Sequence, residues 1–243
     1  FSLMKQRLDE LLVKKGLAKT RSQAKLLIKE GAVLINDVIA KKPSTASDET
    51  DEIIVTKEDS YVSRGAYKLK GAIEKFQIDP QEKVIADVGA STGGFTDYLL
   101  QNGAEKIYAI DVGTGQLDTK IKHDSRVINM ENTNIRDLNE LPEKVDLAVI
   151  DLSYISLKLA LPNVKNFLKP EGQIVALIKP QFEAGKGNVP KDGVIKDKEV
   201  IKEVIKSLED WCGENGLIIK RKVPSQITGK TGNQEYLGLI CPS

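Results

Sequence analysis

Val84-Ile85-Ala86-Asp87-Val88-Gly89-Ala90-Ser91-Thr92-Gly93-Gly94-Phe95 is the stretch that decides how this chain folds. A mostly apolar run leads into a glycine-rich turn, and Phe95, Leu99 and Leu100 then recur at helical spacing. The pattern predicts a strand, a tight loop and a helix N-terminus, with glycines that let a ligand approach bare backbone. Two further apolar runs, residues 145–150 and 174–178, each end on a polar group, Asp151 and Lys179. In an open parallel sheet, ligands gather outside the carboxyl ends of the strands. A carboxylate and an amine are therefore expected at the rim that carries the glycine loop, which points to an enzyme.

Working outward, strand and helix signals alternate. Strands are expected at 107–111, 127–130, 145–151 and 174–179, and helices at 95–101 and 157–168. Val200, Ile201, Val204, Ile205, Leu208 and Trp211 then repeat as a helix face. Residues 217–223 and 235–240 have no helix between them and should pair antiparallel. The order predicts a doubly wound α/β sheet of seven strands, mostly parallel, with an antiparallel edge hairpin. Asp111 follows the second strand, where an acid suits the ribose hydroxyls of a nucleoside. Read alone, turn and acid fit either a nucleotide site or a structural turn.

Upstream of residue 60 the pattern changes to a small α+β unit. Leu8, Leu11 and Leu12 form an apolar stripe that stops at Gly16, and Thr20 with Gln23 opens a second helix as a capping box. That helix buries Ala24, Leu27 and Ile28, stops at Gly31, and sets Arg21, Lys25 and Lys29 along one face. Short strands follow at Val33 and Ile35, before the Asn36-Asp37 turn, and at 53–55. We expect a first domain at 4–59, a polar linker at 60–66 and a second domain at 67–243.

The 243 residues, 40% hydrophobic and 29% charged, suffice for one large domain or two unequal ones. A net charge of +1 conceals ten Lys/Arg against four Asp/Glu in residues 5–42, followed by a largely acidic 44–59. A local basic face of this kind suits a polyanion. Two distant cysteines without metal-ligand spacing exclude a disulfide scaffold and a zinc site, and suit a reducing cytoplasm. One histidine, His123, leaves little for histidine-based triads. No apolar run is long enough for a membrane span, and no signal peptide is visible. We expect no membrane and no metal.

Several segments now carry a resemblance. Arg7-Leu8-Asp9, Gly16-Leu17-Ala18, Thr20-Arg21-Ser22-Gln23-Ala24, Ile28-Lys29-Glu30-Gly31-Ala32-Val33 and Ile35-Asn36-Asp37 resemble the S-four RNA-binding module. The module implies RNA contacts by Arg7, Lys14, Lys15, Arg21, Lys25 and Lys29, with Arg64 beyond it. Asp87-Val88-Gly89-Ala90-Ser91-Thr92-Gly93-Gly94-Phe95 resembles the first motif of the FtsJ-like ribose 2′-O-methyltransferases, which are Rossmann-like and use S-adenosylmethionine. Their Lys-Asp-Lys-Glu tetrad is matched by Lys68 in Ser63-Arg64-Gly65-Ala66-Tyr67-Lys68-Leu69 and by Asp151 in Asp151-Leu152-Ser153-Tyr154-Ile155-Ser156. It continues with Lys179 in Lys179-Pro180-Gln181-Phe182-Glu183 and Glu235 in Gly232-Asn233-Gln234-Glu235. Nearly the whole chain resembles the TlyA family, often labelled hemolysin A, whose members methylate cytidine ribose in ribosomal RNA.

The resemblance implies cofactor contacts by Asp87, Gly89, Ala90, Ser91, Gly93, Gly94 and Phe95. Asp111 and Val112 would flank the ribose, residues 132–135 with Asn134 among them would border adenine, and Asp151 would join them. A ribose hydroxyl must lose its proton to attack a sulfonium methyl, and a neutral lysine can take it. Lys179 is the expected base, oriented by Asp151, while Lys68 steadies the alkoxide and Glu235 holds Lys68 and the ribose. Ribosomal RNA or a ribosomal subunit is the expected partner, and 184–196 is expected to be either a mobile loop near it or a plain solvated loop. Two other functions compete: a non-catalytic RNA-binding assembly factor on a degenerate methyltransferase fold, and a membrane-lytic protein.

Overall fold

In the computed structural model the chain divides into two units, Phe1–Ser60 and Tyr61–Ser243. Residues 5–18, 20–36, 38–55, 61–185, 187–225, 227, 229 and 232–243 are described. Asp37 of the expected turn, Ser60 of the expected linker and Lys186 of the expected loop lie outside them.

The first unit orders β1 (Gln6–Arg7), α1 (Leu8–Lys14), α2 (Arg21–Lys29), β2 (Val33–Ile35), β3 (Val38–Ile39), β4 (Ala46–Ser47) and β5 (Ile53–Val55). Leu8, Leu12, Ala24, Leu27, Ile28 and Val33 form its core. Thr20 caps α2 by accepting from the Gln23 amide at 3.2 Å, and Gly16 and Gly31 supply the positive φ that ends each helix. The expected cationic stripe is only partly open. Arg21 pairs with Asp9 and Glu10, Arg7 with Asp9, and Lys14 with Glu49. Lys15 Nζ donates to the carbonyls of Glu49 and Asp51. Asp9 is fully buried. Burial pushes its carboxyl up, yet hydrogen bonds from Arg7 and Arg21 outweigh that and hold it below the ordinary range. Lys25 and Lys29 stand exposed, with no partner among the described residues.

The second unit opens earlier than the expected linker allows. The Val62 amide donates to Asp97 Oδ2 at 2.8 Å, Tyr61 packs edge-on against Tyr67 and Tyr98, and α3 (Gly65–Phe76) already starts at Gly65. Residues 61–66 belong to this unit because Tyr61, Val62 and Ala66 bury apolar surface in its core. There follow β6 (Val84–Val88), α4 (Gly94–Gln101), β7 (Lys106–Ile110), α5 (Thr119–Lys122), β8 (Val127–Met130) and β9 (Val145–Ile150). The expected helix at 157–168 is broken into a 3-10 turn, Leu157–Leu159, and α6 (Leu161–Phe167). Pro162 has no N–H to continue a helix and its ring crowds the carbonyl of Lys158. Leu168, expected to end that helix, instead begins β10 (Leu168–Ile178), whose pairing with β9 is interrupted between Leu168 and Gln173. α7 (Pro180–Glu183), α8 (Lys198–Glu214), β11 (Leu217–Pro224) and β12 (Tyr236–Pro242) complete the unit.

The seven strands lie in the order β11-β12-β10-β9-β6-β7-β8, and β12 alone runs against its neighbours. The central strands are apolar on both faces because helices cover both. Ala86, Val88, Ala148, Ile150 and Ala176 face α6 and α8, while Ile85, Leu147, Val149 and Val175 face α3 and α4. Each large side chain buried this way contributes about 1.5–3 kcal/mol. The chain order reverses between β6 and β9, and there the carboxyl ends of neighbouring strands open a crevice.

Candidate active site

A cavity of about 420 Å³ lies at that reversal. One wall is the turn after β6, where Gly89, Ala90, Ser91, Thr92, Gly94 and Phe95 line it. Gly89 adopts φ +86°, and a Cβ there would sit 2.4 Å from the Asp151 carbonyl oxygen. A Cβ on Gly94 would sit 2.0 Å from Ser63 Oγ. At Gly89, where the opposing atom is backbone, only glycine permits the approach, whereas at Gly94 the Ser63 hydroxyl would have to move aside.

The other wall carries four charged side chains from four places in the sequence. Lys68 on α3 meets Glu235, just before β12, with Nζ 2.5 Å from Oε2. Lys179, just after β10, meets Asp151, just after β9, with Nζ 2.6 Å from Oδ1, and also donates to Ser153 Oγ at 2.9 Å. All four line the same cavity, and Lys179 and Glu235 are only 8% and 3% exposed. Glu235 reaches this rim because β12 is reversed, so its amino-terminal end lies beside the carboxyl ends of the parallel strands.

The remaining expected cofactor residues are placed differently. Gly93 underlies the turn at φ +89°, and Asp87 is fully buried beneath it. Asp111 lies just after β7 and outside the cavity lining. Its carboxylate accepts from the Ser91 amide at 2.8 Å and the Gly113 amide at 2.7 Å, so it braces the turn. Each oxygen keeps a second lone pair for a hydroxyl. Val112 is 65% exposed next to it. Asn134 is turned to Arg136, accepting from its amide at 3.1 Å. Arg64 lines the cavity at the start of α3.

Sequence reasoning did not single out Ser63, Gly65, Thr92, Ser153, Tyr154, Gln181 and Phe182, all of which line the cavity. Five of the seven, Gly65, Ser153, Tyr154, Gln181 and Phe182, lie within three positions of one of the four charged residues. Tyr154 is 88% exposed at φ +69°, and its ring packs on Phe182 with centroids 5.3 Å apart. The expected mobile loop is held near its carboxyl end. The Asn233 side chain accepts from the Ile195 amide at 3.0 Å and donates to the Gly193 carbonyl at 2.8 Å, and Ile195 is buried.

Burial drives the Asp87 carboxyl up from its ordinary 3.8 to about 7, and the charges of Asp151 and Asp111 add to this. A bond from Thr96 Oγ at 2.6 Å opposes the shift, while Asp87 Oδ1 has no hydrogen-bond partner among the described residues. The native state then holds this proton more tightly than the unfolded chain, so stability falls as pH rises from about 4 to about 7 and levels off above. Asp87→Asn keeps the acceptor for Thr96 and removes the titration. Urea unfolding at a series of pH values should show the variant gaining on wild type across that window. Parallel curves would mean that the slope belongs to other groups.

This strand order, with one reversed strand and a glycine turn at the reversal, defines the class: a Rossmann-like methyltransferase fold joined to a small second unit. Residues 61–240 match the model of the FtsJ-like methyltransferase, and residues 6–53 match the S4 domain. The chain belongs to the FtsJ-like methyltransferase family. It is 44% identical over 236 residues, 95% of this chain and 87% of the relative, to the 16S/23S rRNA (cytidine-2′-O)-methyltransferase TlyA of Mycobacterium tuberculosis. Hemolysin A of Brachyspira hyodysenteriae is 38% identical over 95% of this chain and 98% of its own. A solved structure from Streptococcus thermophilus whose description carries the word hemolysin shares 38% identity at TM-score 0.74, covering 100% of this chain and 90% of that one.

Proposed function

We propose that the chain transfers the methyl group of S-adenosylmethionine to the ribose 2′-hydroxyl of a cytidine in ribosomal RNA, as a cytoplasmic enzyme. The observation that carries this reading is the convergence of Lys68–Glu235 and Asp151–Lys179 on a cavity walled by a bare glycine turn. The relative from Mycobacterium tuberculosis, whose name states that chemistry, supports it.

The residues fit the cofactor. Gly89 and Gly94 line the cavity with bare backbone, Asp111 retains acceptor capacity for ribose hydroxyls, and exposed Val112 offers an apolar face to adenine. Bound S-adenosylmethionine supplies a methyl group already activated on a sulfonium. Lys179 Nζ, in its neutral form, takes the proton of the 2′-hydroxyl. Asp151 and Ser153 fix where that nitrogen points. The ammonium of Lys68, held by Glu235, faces the oxygen as negative charge develops on it. Alignment of oxygen, methyl carbon and sulfur supplies much of the rate. Arg64 at the cavity, and Lys25 and Lys29 on α2, are the cations we assign to RNA phosphates. Arg7 and Arg21 hold the buried Asp9, so they act chiefly inside their own unit.

The complete set of two lysines and two acids favours catalysis over a degenerate fold. For a lytic function, the name of the Brachyspira relative speaks, yet among the described residues no helix is long and apolar enough to cross a membrane. The test is to incubate the protein with isolated ribosomal subunits and labelled S-adenosylmethionine and to map ribose methylation. We expect label on a cytidine 2′-oxygen. Cofactor binding with no ribose label on either subunit would overturn the proposal in favour of the assembly factor.

A further inference from the structure

The segments after β9 and β10 run side by side, and each carries one partner of the Asp151–Lys179 pair. They are joined at three levels. Lys179 reaches Asp151 and Ser153, the Tyr154 ring rests on Phe182, and Glu183 then accepts from Ser156 Oγ at 2.6 Å and from the Leu157 amide at 2.8 Å. The first two levels line the cavity, while Glu183 does not. Between Asp151 and Ser156 the chain forms no helix or strand and passes through Tyr154 at positive φ. Something outside that loop must hold it.

We propose that Glu183 is a positioning residue for methyl transfer. Its carboxylate latches the far end of the 151–157 loop to α7, so that Asp151 and Ser153 hold Lys179 Nζ at the attacking oxygen. This rests on the reading of Lys179 as the base. Ser156 Oγ also accepts from the Lys158 amide at 3.1 Å, so one hydroxyl both caps the 3-10 turn and closes the latch. Burial pushes the Glu183 carboxyl up, and the bonds from Ser156 and Leu157 and the charge of Lys158 only partly oppose it. Besides Lys158, the titratable group facing it is the Cys212 thiol on α8, itself pushed up to about 11 by burial first and by Glu183 next. A carboxylate kept in so unfavourable a place serves its two bonds. On acidification it takes up a proton and the latch weakens.

The experiment compares Glu183→Gln, Glu183→Ala and Ser156→Ala with wild type in methylation of ribosomal subunits, alongside Lys179→Ala. A misplacement of about 1 Å costs around a hundredfold in rate, so Glu183→Ala should lose about ten- to a hundredfold in kcat. Glu183→Gln keeps one acceptor oxygen and should lose less. KM for the subunit, calorimetric Kd for S-adenosylmethionine and melting temperature should stay close to wild type. The part of the acid-side fall in kcat that follows the loosened latch should be absent in Glu183→Gln, leaving the part that belongs to the base. Ser156→Ala removes one latch bond from the other side and should reproduce a smaller kcat loss, even if Glu183→Ala does not fold. Unchanged kcat in all three variants, or kcat, KM and melting temperature falling together, would overturn the latch. An active Lys179→Ala enzyme would instead overturn the reading of the base.

Discussion

Lys179→Ala is expected to reduce single-turnover methylation at saturating cofactor by about a hundred- to ten-thousandfold, the usual contribution of a general base. Folding, cofactor binding and RNA binding should survive. Lys179→Arg should be almost as damaging, because a guanidinium keeps the charge but cannot shed a proton near neutral pH. The geometry makes the comparison clean. Nζ lies 2.6 Å from Asp151 Oδ1 and 2.9 Å from Ser153 Oγ, partners that a guanidinium can also engage. If charge alone mattered, arginine would restore most of the activity. An arginine enzyme within a few-fold of wild type would remove the base role and leave Lys179 a positioning function.

Gly89→Ala should be the other severe substitution. Its Cβ would meet backbone, the carbonyl oxygen of Asp151 at 2.4 Å, at a φ of +86° that disfavours any L side chain. Neither side can yield cheaply, because the Asp151 amide is tied to the Val88 carbonyl at 3.0 Å across adjacent strands. The ends of β6 and β9 must part, and Asp151 moves with them. We expect a stability loss of about 3 kcal/mol or more and loss of measurable cofactor binding. Gly115→Ala is the control. It shares the positive φ, at +65°, but has nothing within 4 Å, so only about 1–2 kcal/mol of backbone strain is expected. Urea unfolding and calorimetry should separate the two. Equal effects would show that the close approach to Asp151 is unimportant.

Much of the fold could be read directly, because the apolar run at 84–88 ends in a glycine turn and those at 145–150 and 174–178 end on polar residues. The reversed last pair followed from the missing helix between 217–223 and 235–240. Local chemistry was harder to read. The helix expected through 157–168 ignored what Pro162 does to the carbonyl before it, and the irregular start of β10 has no periodic signature. At the site, the four charged residues were legible by resemblance, each at a strand or helix end. Their neighbours were not, because Ser153, Tyr154, Gln181 and Phe182 are defined by how two loops face each other. Asp111 was read as a ribose ligand, and its bracing of Ser91 and Gly113 depends on a turn that sequence does not draw. Arg21 looked free on its own helix. Its partners, Asp9 and Glu10, sit on another one.

The crossed order of the final strands governs when the enzyme can first work. β11 precedes β12 in the chain, yet β12 lies between β11 and β10. A chain emerging from the ribosome therefore completes β11 before there is a neighbour for it to pair with. Glu235 and Lys68 are 167 positions apart, so their contact closes one of the longest loops in the unit. A partially synthesised form lacking residues 235–242 would have an open sheet edge at β10 and no Glu235 for Lys68. On the proposed reading of the site, activity would wait for that strand to enter its slot and bring in the fourth charged group. A methylase completed this way would be silent until that strand is made.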